Sequence, residues 1–302
     1  MSFPVKLLLP QYWPNWLLVA ILWGCSKLPY RFLLKLGAGL GRLLMWVMPD
    51  RVHTARVNLA HCFPEWSEEK RQQVVKESFN ALGVGFFEAS LAWWGSARRI
   101  QKLAHLYGVE HLSAALAKKR GILLLSYHNP ALEICARMMA QHCQPYMFYR
   151  PQKNKVIEYV SQKARQRYSK GIILRTEMRR TIQLLQENEM IFYLPDQDYG
   201  RKHSVFVPFF AEPKAATITM TARLTQTTGA AVILVHGGRL PNSTGYEVHI
   251  DAPLTDFPSG DDAVDARRIN QIIEQAIAQR PEQYMWLHRR FKTRPQGEPS
   301  FY

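Results

Sequence analysis

Three observations predict an α/β fold, a mixed sheet flanked by helices. Apolar runs of strand length alternate with helical segments from about residue 105 onward. The first clear run, Gly121 to Tyr127, has the length and unbroken apolarity of a buried strand. A histidine, His128, stands where that run gives way to a helix start, at the kind of sheet edge where α/β folds collect ligands.

Taken in chain order, residues 1–50 read as a membrane-anchoring segment and residues 51–302 as one catalytic unit. Leu17 to Cys25 is an apolar run behind an aromatic flank (Tyr12, Trp13, Trp16), with Lys27, Arg31, Lys35 and Arg42 on its other side. That arrangement suits an anchor whose C-terminal side faces the cytoplasm, although the run is shorter than the ~20 residues of a comfortable span. A short span and a deeply inserted interfacial helix both remain open. Leu33 to Met48 forms a second apolar stretch, interrupted by Lys35 and Arg42. Arg51 to Trp94 reads as helical, with Ser67 capping a segment from Glu68 to Leu82.

The alternation then runs as follows: strand Gly121 to Tyr127, helix Ala131 to Gln141, strand Pro145 to Tyr149, helix Val156 to Tyr168, strand Ile172 to Leu174, helix Met178 to Glu187 and strand Met190 to Leu194. Asn129 is placed to cap the helix after His128, and Pro130 suits its first position. Glu133 falls one turn inside. A carboxylate near a helix N-terminus, five positions after a histidine, can reach back and fix the ring's tautomer. The other ring nitrogen would then face substrate as a general base, able to take a proton from an alcohol attacking a carbonyl. A strand-end histidine held by an acid for stability alone carries the same letters, so the surrounding context must decide.

Charge narrows the partners. The 39 Lys and Arg against 24 Asp and Glu give a formal net charge of +15, which favours an anionic partner: nucleic acid, an acidic carrier protein or phosphate-bearing lipid. No nucleic-acid fold motif accompanies it. The basic and aromatic ending, Trp286 to Arg294, reads as a surface for an anionic lipid headgroup. The four cysteines (Cys25, Cys62, Cys135, Cys143) lack metal or redox spacing and suit a reducing compartment. Asp196 and Asp198 form a D-x-D pair that could hold a divalent metal, but no glycine-rich phosphate loop accompanies them and Arg201, Lys202 and His203 lie just beyond. Arg165 lies in a basic helix and offers paired donors for a phosphate or an oxyanion.

Together these residues resemble the lipid A biosynthesis acyltransferases, the late lauroyl or myristoyl transferases of Gram-negative bacteria, within the wider glycerolipid acyltransferase group. The resemblance is carried by His128 to Glu133, by Tyr193 to Gly200, by Ser204 to Phe210 and by the long ending Pro281 to Pro295. The wider group carries Asp where this chain has Glu133; glutamate is usual in the lipid A branch. The resemblance implies an inner-membrane enzyme with its catalytic part on the cytoplasmic face. Such an enzyme takes a chain of C12 or C14 class from acyl carrier protein to the hydroxyl of a 3-hydroxyacyl chain on a Kdo-bearing lipid A precursor. It further implies His128 as base, Glu133 as its orienting partner, Arg165 as substrate or oxyanion contact, and functional roles for Asp198 and Arg201. No metal, nucleotide or other cofactor is expected, because a thioester donor is already activated. Two other readings fit the residues: an acyltransferase for a lysophospholipid or glycolipid, and a non-catalytic membrane interaction protein whose His128 is structural.

Overall fold

The computed structural model describes residues 4–302. Four helices come first: α1 (Trp13–Cys25), α2 (Tyr30–Val47), α3 (Pro49–Cys62) and the long α4 (Glu68–Trp94). The short α5 (Ala97–Gln101) leads to β1 (Ala104–Tyr107) and α6 (Val109–Ala117). The alternating part follows as β2 (Ile122–Leu125), α7 (Leu132–Met139), β3 (Tyr146–Tyr149), α8 (Lys155–Arg165), β4 (Gly171–Leu174), α9 (Met178–Gln186) and β5 (Met190–Tyr193). A separate hairpin of β6 (Ser204–Phe209) and β7 (Glu212–Ile218) precedes α10 (Met220–Thr228), β8 (Ala231–Arg239), β9 (Tyr246–Ile250) and α11 (Asp262–Gln279).

The main sheet is mixed, with strand order β1-β9-β8-β2-β5-β3-β4. β8, β2, β5, β3 and β4 run parallel; β9 lies antiparallel to β8, and β1 parallel to β9. Every residue of β2 is buried. Leu123 and Leu125 join a core shared with α3, α9, α10 and α11, whereas Ile122 and Leu124 join a second core with α7 and the end of α4. Covering on both faces is why this strand is an unbroken apolar run and does not alternate.

Each strand and helix expected between residues 121 and 194 is present, with bounds shifted by one to three residues. The Arg51 to Trp94 segment divides at Phe63 to Ser67, and the Ser67 hydroxyl accepts from the Lys70 N–H at 3.2 Å as an N-cap. α4 does not stop at Leu82. It continues through Gly83 and Gly85, where close approach of other backbone demands the missing side chain. A Cβ on Gly83 would lie 2.2 Å from the Gly37 carbonyl oxygen and 2.4 Å from the Gly41 nitrogen on α2. One on Gly85 would lie 2.8 Å from the Pro130 carbonyl oxygen, in the loop carrying His128.

The N-terminal helices differ from a spanning anchor. α1 has 13 residues, which at ~1.5 Å per residue is about 20 Å. Among the described residues no single helix is long and apolar enough to cross a membrane, and α2 with α3 reaches that composition only as a pair bent by 95°. α2 is held along one side, with Leu33, Gly37 and Gly41 buried.

The α2–α4 crossing yields a direct test. Gly83→Ala is expected to lower stability by about 1–3 kcal/mol, because its methyl group meets backbone at Gly37 and Gly41 of α2. Gly39→Ala, whose Cβ meets nothing within 4 Å, should leave the melting temperature unchanged or raise it. Thermal unfolding of both variants checks the pair.

Candidate active site

His128 lies on the loop after β2, at the C-terminal edge of the parallel strands. The Ser126 N–H donates to the Tyr193 carbonyl at 3.0 Å, extending the pairing with β5 one residue beyond the strand. The expected cap does not form. Asn129 instead starts a turn, its carbonyl accepting from the Leu132 N–H at 3.2 Å, and its side-chain oxygen is buried without a protein partner. α7 begins at Leu132 with no side-chain cap.

Contacts from both sides hold the loop in that shape. The His128 backbone N–H donates to Asp196 Oδ2 at 2.9 Å, and ring Nδ1 lies 2.6 Å from Asp196 Oδ1. On the other side the Met285 N–H donates to the His128 carbonyl at 3.1 Å. Asp196 follows β5, the direct neighbour of β2, and is only 2 % exposed. Burial alone would raise its carboxyl, but the His128 ring and the two hydrogen bonds from His128 outweigh burial and hold it below the usual carboxylate range. An ionised carboxylate only accepts, so Nδ1 carries the hydrogen and Nε2 is left for substrate. The His128 side chain remains 29 % exposed, enough to be reached.

The carboxylate on His128 is therefore Asp196, not Glu133. Glu133 faces the opposite way into a buried clamp. Arg165 Nε and Nη2 donate to its two oxygens at 3.0 and 2.6 Å, Trp93 Nε1 donates at 2.9 Å, and the Tyr168 hydroxyl donates as well. Burial pushes the Glu133 carboxyl up; the Arg165 charge and these four hydrogen bonds overcome that and leave it below its ordinary value. The Tyr168 hydroxyl is raised by burial and by the Glu133 charge, so it stays protonated and donates. With α7 starting at Leu132, Glu133 is in its first turn and faces α8 and the end of α4.

Arg165 is consequently engaged rather than open to substrate. Its guanidinium is bidentate on Glu133 and lies 5.2 Å from the centroid of the Tyr149 ring. Asp198 sits near the pair but serves the backbone: its carboxylate accepts from the Thr293 N–H and hydroxyl at 2.7 and 2.8 Å and from the Gly200 N–H at 2.8 Å. Arg201 is exposed and donates to the Arg294 carbonyl at 2.7 Å. Asp196 and Asp198 thus answer separate protein donors. Among the described residues no group of three or more His, Cys, Asp or Glu side chains is arranged to hold a metal ion.

The C-terminal segment also differs from a basic lipid-binding patch. Arg290 is 1 % exposed, donating to the Ala216 carbonyl at 2.7 Å and the Thr217 hydroxyl at 3.1 Å, while Arg294 is paired with Glu212 and Glu298. Arg289 and Lys292 alone in the Arg289 to Arg294 run are exposed cations. His288 lies within electrostatic reach of His128 and Asp196. Burial, followed by the His128 charge, pushes it down to about 4, so it is neutral beside the pair. Sequence spacing could not place Asp196 or His288 at the site; the only signal was that both lie in segments with family-like residues.

Beside the His128 loop a small, mainly apolar cavity is lined by Ser126, Asn129, Leu132, Cys135, Ala136 and Phe192 among others. A second cavity shares Ala136, Met139 and Phe192 and extends to Met147 and Tyr168. Both lie beneath α7, between that helix and the sheet.

Residues 1–293 match the profile of the bacterial lipid A biosynthesis acyltransferase family. The chain is 39 % identical over 301 residues to the lipid A biosynthesis lauroyltransferase of Escherichia coli K12, covering all of this chain and 98 % of that protein. It is 38 % identical over 302 residues to the palmitoleoyltransferase of the same organism, again covering 98 % of that protein. To the E. coli myristoyltransferase it is 33 % identical over 296 residues, covering 96 % of this chain and 90 % of that protein. With a histidine-carboxylate pair at a sheet edge and a match along nearly its whole length, the chain belongs to the bacterial lipid A biosynthesis acyltransferase family.

Proposed function

We propose that this acyltransferase moves a fatty acyl chain of C12 or C14 class from acyl carrier protein to the hydroxyl of a 3-hydroxyacyl chain on a Kdo-bearing lipid A precursor. It does so at the inner membrane, with its catalytic part on the cytoplasmic face. The observation that supports this reading best is the His128–Asp196 pair, one ring nitrogen fixed and the other free. His128 Nε2 takes the hydroxyl proton as the acceptor oxygen attacks the thioester carbonyl, and Asp196 stabilises the imidazolium that forms. The tetrahedral oxyanion collapses, the C–S bond breaks, and the departing thiolate recovers the proton from His128. The product is an ester and a free carrier thiol. The excess positive charge suits a phosphorylated acceptor and an acidic carrier.

Glu133 acts indirectly in this mechanism. All of its strong acceptor directions are taken by Arg165, Tyr168 and Trp93, so it positions α7 and the loop before it. The His128 to Glu133 spacing is thus a packing requirement as well as a motif.

Mass spectrometry of a Kdo-bearing tetra-acylated precursor incubated with lauroyl or myristoyl carrier protein tests the reaction itself. One added acyl mass is expected, and no product with either donor would overturn the assignment. His128→Ala should reduce turnover by at least about 10³-fold, and Asp196→Asn by about 10²–10⁴-fold through loss of tautomer control, with little change in KM. An Asp196→Asn enzyme with normal turnover would remove Asp196 from the mechanism.

The clamp makes a different prediction. Glu133→Gln and Arg165→Met should each cost about 3–5 kcal/mol of stability along with activity, because each leaves a buried charge unpaired. The double variant should cost less than the sum, read as a melting-temperature cycle. Acid titration extends the test. Glu133 and Asp196 are both depressed below unfolded values of about 4.3 and 3.9. The stability they add is complete above those values and is lost as pH falls through the folded-state pKa values. Circular dichroism should show a plateau above about pH 5 and unfolding on acidification, with a shallower acid slope for the Glu133→Gln/Arg165→Met double variant.

A further inference from the structure

We infer that α1 and α2 enter a single leaflet of an anionic bilayer and do not cross it, fixing the catalytic unit at a set height on the membrane. This rests on the membrane reading above and adds its geometry. On α2, Phe32, Leu36, Leu43 and Trp46 are exposed, Trp46 by 80 %. At 100° per residue these four fall within about 80° of arc, a continuous apolar stripe. Arg31, Lys35 and Arg42 are also exposed and lie about 60–100° to one side of Phe32, forming a basic row parallel to the stripe. The remaining side is occupied: Leu33, Gly37 and Gly41 are buried against α4.

That third side decides the topology. The glycine contacts put α2 backbone against α4 backbone, so that side of α2 is closed to lipid and the helix cannot be surrounded by acyl chains as a span would be. α3 offers no continuation, since it turns through 95° and buries Ala55, Asn58 and Leu59 in the core. α1 is too short for the ~30 Å hydrocarbon layer and is itself tethered. Val19 and Leu22 are buried, and Asn15 Oδ1 accepts from Asn154 Nδ2 at 2.8 Å, at the cap of α8. Its outer residues, Leu17 and Ile21 among them, are exposed like those of α2.

Charge selects the occupant. From residue 1 to residue 49 there is no Asp or Glu, against five cations, Lys6, Lys27, Arg31, Lys35 and Arg42. An unbroken basic row beside an apolar stripe matches a sheet of anionic headgroups over acyl chains. The stripe enters the acyl region of the leaflet and the row lies at its phosphates.

The full-length protein carrying distinct tags at its two ends, expressed in a Gram-negative host, tests the topology by protease treatment of spheroplasts. Both tags should survive in intact spheroplasts and both be cleaved after lysis. Cleavage of the N-terminal tag alone in intact spheroplasts means a span and overturns this inference, leaving membrane association standing. Flotation of purified protein with phosphatidylcholine vesicles, with and without phosphatidylglycerol, tests the surface. Lys35→Glu/Arg42→Glu should weaken binding to the anionic vesicles more than about tenfold at low salt. Leu43→Asp/Trp46→Asp should weaken binding to both, with a melting temperature close to wild type because both side chains are exposed. Unchanged binding of the apolar variant would overturn the placement of α2. Wild type that floats with neither vesicle would sink the membrane reading itself, whatever its acyl-transfer activity.

Discussion

The buried carboxylate of Glu133 is the interaction on which the site's architecture depends. It draws donors from two helices, Trp93 at the end of α4 and Arg165 and Tyr168 at and just beyond the end of α8, to the first turn of α7. A buried charge so costly to isolate is tolerable only when fully paired. Any rearrangement that moves α7 must therefore break several charge-assisted bonds together. The loop before α7 inherits that rigidity, and His128 is on that loop.

Asp196 supplies the complementary constraint from the sheet. Its two oxygens hold one residue twice, at the backbone and at the ring, so ring orientation and loop path are set by one group. α4 connects this region to the rest of the chain. At Gly83 it meets α2, at Gly85 it meets Pro130, at Glu88 it pairs with Arg239 of β8, and at Trp93 it reaches Glu133. One helix thus touches the N-terminal helices, the His128 loop and the sheet.

Much of this was legible in the sequence, and the failures have physical causes. The β-α alternation from 121 to 194 was readable because a sheet covered on both faces needs continuous apolar strands. His128 and Glu133 were readable as a motif, yet their roles were not. Spacing reports which groups are near in the chain, whereas the partner of His128 is 68 residues away, just after the adjacent strand. Asp196 was visible only as half of a D-x-D pair. Composition likewise could not separate an exposed arginine from a buried one, so Arg290 and Arg294 read as surface charge although each satisfies acceptors inside the molecule. β1, β8, β9 and the β6–β7 hairpin went unplaced; β1 is only four residues long and half exposed. The glycines of α2 and α4 gave no signal by themselves; their meaning is the approach of another backbone.

The contact between the Met285 N–H and the His128 carbonyl has a consequence in time. Asn58 Nδ2 likewise donates to the Trp286 and His288 carbonyls, each at 2.7 Å, so early residues complete their bonds with the last part of the chain. Synthesis at about 5–20 residues per second delivers the apolar N-terminal helices many seconds before residue 285. A nascent chain can therefore bury or dock those helices while its His128 loop still lacks one of its supports. The His128 loop thus takes its final shape only once Met285 has been made.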